Sequence, residues 1–275
     1  MNSAAASIAL PPDVRLMNAV SALLVLAVLG GALLLAGRWA MRLPVFNVRG
    51  IQVVGDVSRN SVASLRANAL PRLRGSFLSL DLKDGRAAFE AVPWVRHAEL
   101  QRIWPMRLKV RLEEHRAAAY WEPRPDGADA DSESTTERAL VNSFGEVFQA
   151  NLGDVEDEDL PVLSGPAHSA GDMLAMWRAL EPAVERLDDE IERLDLSGRG
   201  SWRATLGKGA VIELGRGSQA ELVQRFERFT RTVVTVEARY HAPLLAADLR
   251  HADGYAVRLR GVTTQTPGKP ANKKR

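Results

Sequence analysis

The chain has 275 residues, of which 46% are hydrophobic and 25% charged, a composition that excludes a disordered protein and allows one large or two modest domains. Its 36 basic and 34 acidic residues leave a formal net charge of only +2, so no overall field favours nucleic acid as a partner. The absence of cysteine excludes disulfides, thiolate metal sites and a cysteine nucleophile, and leaves the compartment open.

Residues 16–37 predict a membrane-spanning helix that follows a short tail, residues 1–15. The segment has no charged side chain and is bracketed by Arg15 and Arg38. At about 1.5 Å per residue it can cross a hydrocarbon core of about 30 Å. A signal peptide would be shorter and would precede an A-x-A cleavage site. A buried soluble helix would carry charge on one face. We therefore predict an uncleaved anchor.

The charges beside this segment favour a cytoplasmic position for the rest of the chain. Asp13 and Arg15 precede it, and Arg38, Arg42 and Arg49 follow it. Loops rich in Lys and Arg remain in the cytoplasm.

Residues 43–121 predict a first compact unit with the order β-α-α-β-β. The strand in FNVRGIQVVG breaks at a bulge near Arg49-Gly50. The first helix is predicted to be capped by Ser58 or Asn60, and the second to begin at Asp81.

Two strands close this first unit, VRHAELQRI and RLKVRLEE, joined around Trp104-Pro105. In the second strand Leu108, Val110 and Leu112 alternate with basic residues, which is the period of a half-buried strand. The segment at 122–138 is rich in Pro, Asp and Ser without apolar periodicity, and predicts a loop.

Residues 139–261 predict a second unit, a mostly antiparallel β domain with flanking helices, so that the fold class is α+β. LVNSFGEVF indicates a hairpin, and SWRATL turns at 207–209 into AVIEL. ADLRH and YAVRL predict a last hairpin through Asp253-Gly254. The polar tail at 262–275 is predicted to be disordered. Two apolar stripes indicate helices: Leu174, Trp177, Leu180, Val184 and Leu187, and then Leu222, Phe226, Phe229 and Val233.

The stretch VIELGRGSQAELVQRF resembles a dinucleotide-binding fingerprint, with Gly215-x-Gly217-x-x-Ala220 and an acid at Glu237. Such a site needs a parallel strand and several further strand–helix units. The strand before Gly215 is instead half of a hairpin, and a helix can continue through Glu237. We therefore interpret the glycines as turn residues and Ser218 as a helix cap.

Other catalytic patterns are absent from the sequence, so we predict no catalytic, cofactor or metal residues and no enzyme. The five histidines form no H-x-x-x-H or H-E-x-x-H pattern, and VEDEDL lacks the spacing of a calcium loop. The basic strand face of Arg107, Lys109 and Arg111 could contact phosphates, although a solvated strand face is the simpler interpretation.

A series of motifs resembles the FtsQ/DivIB family of bacterial division proteins over about residues 10–261. These motifs are FNVRGIQVVG, GSFLSLDL, FEAVPWVRHAELQRIWPMRLKVRLEEHRAAAYW, LVNSFGEVF, LPVLSGP and ADLRHADGYAVRL. PWV and R-x-W-P are among the most specific. Two features depart from the family pattern: the 122–138 loop is long and the N-terminal tail is short, which puts a cytoplasmic recruitment role for that tail in doubt.

The resemblance implies a single-span protein of the bacterial inner membrane at the division septum, with a cytoplasmic N-terminus, against the charge count above. It implies a periplasmic POTRA domain near residues 46–114 and a β domain, neither catalytic. It implies a scaffold that binds FtsB and, through it, FtsL, and that helps control peptidoglycan synthesis by FtsW and FtsI. The partner is expected beside the last hairpin, at Arg250, His251, Asp253, Gly254, Tyr255, Ala256 and Val257.

Two physical arguments accompany this expectation. If YAVRL is the edge strand of its sheet, its unpaired backbone groups can receive a partner strand. Tyr255 would then offer aromatic contact area and Arg250 would bind a carboxylate; the alternative for Tyr255 is a place in the core. Other classes stay open: a second partner on the basic strand of the first unit, a POTRA-bearing translocation or assembly component, or an exported enzyme.

Overall fold

The computed structural model describes residues 12–40, 47–55, 57–73, 75–125, 138–251 and 254–262. These fall into two compact units, Met1–Glu114 and His115–Arg275. Residues 1–11 of the predicted N-terminal tail (1–15), 263–275 of the predicted C-terminal tail (262–275) and 126–137 of the predicted loop (122–138) lie outside the described residues.

Helix α1, Pro12–Ala40, contains the predicted membrane segment. Within the described residues, Leu16–Trp39 is the one helical stretch long and apolar enough to cross a membrane. Its 24 residues correspond to about 36 Å of helix, and its leucines and valines are exposed, as expected of a surface that contacts lipid.

The first unit has the predicted order of elements. They are β1 Gly50–Gly55, α2 Val62–Ala69, α3 Leu82–Glu90, β2 Val95–Ile103 and β3 Arg107–Glu114. The sheet order is β1-β3-β2, with β1 parallel and β2 antiparallel to β3. The helices cover one face, where Leu108, Val110 and Leu112 are buried with Leu65 and Phe89, so the alternating pattern of β3 is confirmed.

The caps of the two helices differ in how well the sequence predicts them. Asp81 caps α3 as predicted, because its carboxylate accepts a hydrogen bond from the Lys83 N–H at 2.7 Å. The prediction for α2 is wrong: its cap is Ser61, whose hydroxyl accepts from the Ser64 N–H. Ser58 and Asn60 do not cap the helix, because both bind a carboxylate from β3.

That carboxylate belongs to Glu114, the last residue of β3. Its Oε2 accepts hydrogen bonds from the Ser58 and Arg59 N–H groups at 2.7 and 2.9 Å, and from the Ser58 hydroxyl. Its Oε1 accepts from the Asn60 N–H and side-chain amide at 2.8 and 2.9 Å. One largely buried side chain thus joins the end of the sheet to the turn that starts α2.

Among its described residues, the second unit contains nine strands and two α-helices. They are β4 Ala117–Arg124, β5 Ala139–Asn142, β6 Val147–Phe148, β7 Val162–Pro166, α4 Ala170–Val184, β8 Ile191–Leu196, β9 Trp202–Leu206, β10 Val211–Gly215, α5 Gln219–Tyr240, β11 Leu244–Asp248 and β12 Ala256–Leu259. The strands form one sheet in the order β12-β11-β10-β9-β8-β7-β4-β5-β6. The pairs β4–β7, β7–β8 and β10–β11 are parallel, and the others are antiparallel, as mostly predicted.

Two predicted boundaries need correction. Residues 117–124 do not belong to the first unit or to the loop, because β4 pairs with β5 and β7 inside the second sheet. The last hairpin does not turn through two residues: β11 ends at Asp248 and β12 begins at Ala256. The Leu249 N–H donates to the Glu213 carbonyl at 2.8 Å, so the pairing of the chain with β10 continues one residue beyond the last pair with β12.

Helices α4 and α5 cover one face of this sheet. The stripe on α5 is fully buried, whereas in the first stripe Trp177 and Leu187 are only partly buried and Leu187 lies beyond the end of α4. Phe226 and Phe229 of α5 are fully buried against Leu194 and Ile212 of the sheet. The opposite face carries charges. In it Asp195 accepts hydrogen bonds from Arg124 and Arg193, and burial raises the pKa of Asp195 against the lowering effect of these arginines.

We predict that Glu114→Ala lowers the free energy of unfolding of the first unit by about 2–4 kcal/mol, because it leaves one buried and two partly buried N–H groups without an acceptor. Urea denaturation of the detergent-solubilised protein, followed by circular dichroism, measures this. Glu113→Ala is the matched control: Glu113 is half-exposed in a surface pair with Arg96, and its loss costs less than about 1 kcal/mol. Equal destabilisation by both variants would contradict the role given to Glu114.

Candidate partner-binding edge

Strand β12 is the edge of the second sheet, and among the described residues no strand lies beyond it. It runs antiparallel to β11, with Ala256 opposite Asp248 and Val257 opposite Ala247. The prediction that YAVRL supplies the last strand of the sheet is therefore confirmed.

The hydrogen bonds identify the backbone groups of β12 that face outward. The Arg260 N–H donates to the Pro243 carbonyl at 3.0 Å, on the side of β11. Because alternate residues of an antiparallel strand direct their backbone groups to opposite sides, Ala256 and Arg258 also face β11. The bulge in this pair lies on β11, so the alternation in β12 is uninterrupted. Val257 therefore presents both its N–H and its carbonyl outward, and Leu259 its N–H.

Tyr255 holds the beginning of β12 against α5. Its ring packs edge-on against Phe229 with centroids 5.1 Å apart, and its hydroxyl lies 2.5 Å from the Thr232 hydroxyl. The ring is half-buried. The alternative considered for Tyr255, a place in the core, is therefore correct for the buried part of the ring. The part that stays exposed adjoins the open edge.

Arg250 already has a carboxylate partner within the chain. Its Nε and Nη2 donate to the two oxygens of Asp248 at 2.8 and 2.5 Å. These bonds and a further one from the Arg250 N–H lower the pKa of Asp248 to about 2. The sequence suggested a carboxylate from a partner, whereas the structure pairs Arg250 with Asp248, two residues earlier at the end of β11.

The other predicted residues are less constrained. His251, Gly254 and Ala256 are exposed, and a Cβ built on Gly254 would meet nothing within 4 Å. Asp253 lies outside the described residues. Arg258 and Arg260 are exposed beside these residues; they were not predicted, although the alternation of YAVRLR identifies them as the outward side chains of an edge strand.

The glycines that resemble a nucleotide fingerprint have structural roles. Gly215 has φ +81, and a Cβ there would lie 2.8 Å from Arg250 Cγ, so the glycine makes room for the side chain that binds Asp248. After Gly217, Ser218 and Glu221 form a reciprocal cap at the start of α5. The Glu221 carboxylate therefore occupies the helix N-terminus that a phosphate would need.

The prediction that no strand–helix–strand unit surrounds these glycines is wrong. Strands β10 and β11 are parallel and joined by α5, so the chain does contain one strand–helix–strand unit here. The strand β10 is nevertheless half of a hairpin with β9, as predicted. Glu237 lies inside α5, where its carboxylate accepts from the Leu244 N–H at 2.7 Å instead of reaching a ribose.

The histidines are dispersed in the structure. Among the described residues, no three His, Asp or Glu side chains are grouped as metal ligands would be. His115 stacks on Phe148 with ring centroids 4.1 Å apart, and His97 contacts Arg86 and Glu90.

We predict that Arg250→Gln raises the pKa of Asp248 from about 2 towards the ordinary value of about 3.8, because the guanidinium is the main cause of the shift. In the wild type the pair stabilises the fold above pH about 4 and this contribution is lost as the pH falls towards 2. Carboxyl ¹³C chemical shifts of labelled aspartate measure the titration, with the Asp248 signal assigned by Asp248→Asn. An unchanged midpoint in Arg250→Gln would show that another group lowers this pKa.

Comparison with known proteins agrees with this architecture. Residues 46–115, the first unit without α1, match the POTRA domain of the FtsQ type. Residues 133–250 match the C-terminal domain of the cell division protein FtsQ/DivIB. The open edge of β12 lies just beyond the second match.

Full-length relatives extend the similarity across both units and α1. The chain is 37% identical to the cell division protein FtsQ of Thiomonas arsenitoxydans, over 96% of this chain and 94% of the relative. It is 35% identical to FtsQ of Burkholderia pseudomallei, over 91% and 94%, and 32% identical to FtsQ of Bordetella pertussis, over 95% and 99%. With both domains matched in order and such relatives covered nearly end to end, the chain belongs to the FtsQ/DivIB family of bacterial cell division proteins.

Proposed function

We propose that this protein is a non-enzymatic, single-span scaffold of the division machinery, which captures a partner by adding that partner's strand to the edge of β12. The observation that carries the proposal is the open edge itself: a short strand whose Val257 N–H and carbonyl face away from the sheet. Such an edge offers main-chain hydrogen bonds that a partner segment can complete.

The surroundings of the edge favour an acidic partner segment. Arg258 and Arg260 are exposed on the face of the sheet opposite the helices, beside any added strand. On the helix face the added strand would contact Tyr255 and Val257. Three or so new backbone bonds contribute only about 1 kcal/mol each, so these side chains must supply much of the affinity and the choice of partner.

In the family the partner at this hairpin is FtsB, which brings FtsL, and the complex helps control septal peptidoglycan synthesis by FtsW and FtsI. We propose the same partners here. In this proposal the protein links the division proteins that assemble early to the enzymes that synthesise peptidoglycan. It acts by binding these proteins and catalyses no reaction itself.

We further propose that α1 anchors the protein in the inner membrane at the septum, with the N-terminus in the cytoplasm and both folded units in the periplasm. The charged residues on either side of the span favour the opposite orientation. They are few, however, and the positive-inside rule is statistical. Membership of the family supports the periplasmic position.

We predict that Val257→Pro weakens capture of purified FtsB–FtsL by the full-length, detergent-solubilised protein about tenfold or more, which corresponds to about 1.4 kcal/mol. Proline removes the outward N–H without breaking a bond to β11, as edge strands tolerate. Affinity is measured by titration of the immobilised protein.

Val257→Ala is the matched control, since it shortens the same side chain and keeps the N–H; we expect it to lose only the side-chain contact and to bind clearly more tightly than Val257→Pro does. A circular-dichroism melt accompanies both variants, and global unfolding of Val257→Pro would remove the interpretation. Unchanged capture by a folded Val257→Pro would move the interface away from the β12 edge.

A further inference from the structure

We propose that the end of the first unit that carries the β2–β3 turn is a membrane-contact surface. This turn surface consists of Arg49, Leu78, Trp104, Met106 and Arg107. In our proposal Trp104 enters the headgroup region of the bilayer, while Arg49 and Arg107 contact lipid phosphates. The inference rests on the proposed membrane span of α1 and is independent of the partner edge on the second unit.

The exposure of Trp104 is the first observation. Its side chain is 83% exposed, although Trp94, Trp121 and Trp202 are 8% exposed or less. The other highly exposed tryptophan is Trp39, near the end of α1. Tryptophan has an apolar ring and one polar N–H, and it concentrates at membrane–water interfaces for that reason. An isolated tryptophan on a turn is therefore explained if the turn lies at such an interface.

The position of the turn along the chain is the second observation. Strand β1 begins beside it: Gly50 is opposite Arg107, and the Arg49 N–H donates to the Met106 carbonyl at 2.8 Å. Helix α1 ends at Ala40, so nine steps along the chain separate it from Arg49. An extended chain spans at most about 3.5 Å per residue, so this connecting segment can reach about 30 Å. The segment from α1 therefore joins the first unit at the turn surface and keeps Arg49 within about 30 Å of the end of α1.

The charges of the turn surface suit a bilayer. Arg49 and Arg107 are both exposed, and within the described residues neither takes part in an ion pair. Basic side chains next to a membrane are attracted by anionic headgroups, and their aliphatic stems can lie along the apolar region. Salt is expected to weaken this part of the attraction.

A neighbouring turn adds apolar surface. Arg102, two residues before Trp104, donates hydrogen bonds from Nε to the Phe77 carbonyl at 2.8 Å and from Nη2 to the Leu80 carbonyl. These bonds hold the turn at 77–80 beside the end of β2. Leu78 in that turn is 49% exposed. Arg102 is thus a positioning residue that keeps a second apolar side chain near Trp104.

Brominated lipids provide the test, because bromine on the acyl chains quenches only tryptophans that reach the membrane. The full-length protein is reconstituted into vesicles of phosphatidylethanolamine and phosphatidylglycerol, with and without brominated chains. The emission of Trp104 is obtained as the difference between the wild type and Trp104→Phe. We expect bromination to remove most of this difference.

Trp94→Phe is the matched control, because Trp94 precedes β2 and Trp104 follows it, at opposite ends of the same strand. The emission difference for Trp94 should be unaffected by bromination. Trp39 remains in every variant and reports on α1. If the emission that remains in Trp104→Phe is quenched but the emission difference assigned to Trp104 is not, α1 spans the membrane but the turn surface does not contact it. If no variant is quenched, the span itself fails.

Two further measurements separate lipid from protein contacts. Quenching of Trp104 that does not depend on the protein-to-lipid ratio supports a lipid contact, whereas quenching that falls away as the protein is diluted indicates a second copy and overturns the proposal. The double variant Arg49→Gln with Arg107→Gln should lose the preference for phosphatidylglycerol and the sensitivity to salt. If the variant keeps both, the charges do not act as proposed.

Discussion

The packing of α5 against the second sheet is the interaction on which the proposed edge depends. Phe226 and Phe229 are fully buried under this helix, and Phe229 also receives the ring of Tyr255. Because Tyr255 directly precedes β12, burial of the α5 face positions the last strand. Large aromatic side chains bury much apolar area with few rotatable bonds, so this contact stabilises an edge that has a neighbouring strand on one side only.

An open edge must also avoid indiscriminate pairing. In this protein the edge strand has four residues, Ala256–Leu259, and Arg258 interrupts its apolar side chains. Short length and charge both discourage association with other edges. In the proposed mode of binding, the same arginine would also favour a partner segment of opposite charge.

Polar side chains have a different role from the apolar core, because they connect the ends of helices and strands to the neighbouring turns. Glu114 joins the end of β3 to the turn before α2, Arg250 joins the loop after β11 to Asp248, and Glu237 accepts from the first residue of β11. Several donors converge on the carboxylates of Glu114 and Asp248, whereas Glu237 accepts from one. These contacts hold turns in place that hydrophobic burial alone would leave with several possible paths.

The sequence by itself determined the membrane segment, both apolar helix stripes, the alternation in β3, the cap at Asp81 and the edge strand near Val257, because local periodicity and caps depend on neighbours along the chain. Only the tertiary structure decided that 117–124 belongs to the second sheet, that Ser58 and Asn60 bind Glu114, and that β10 and β11 are parallel. The physical reason is the same in each case: the deciding partner lies far away in the sequence, and its hydrogen bonds or burial outweigh the local preference.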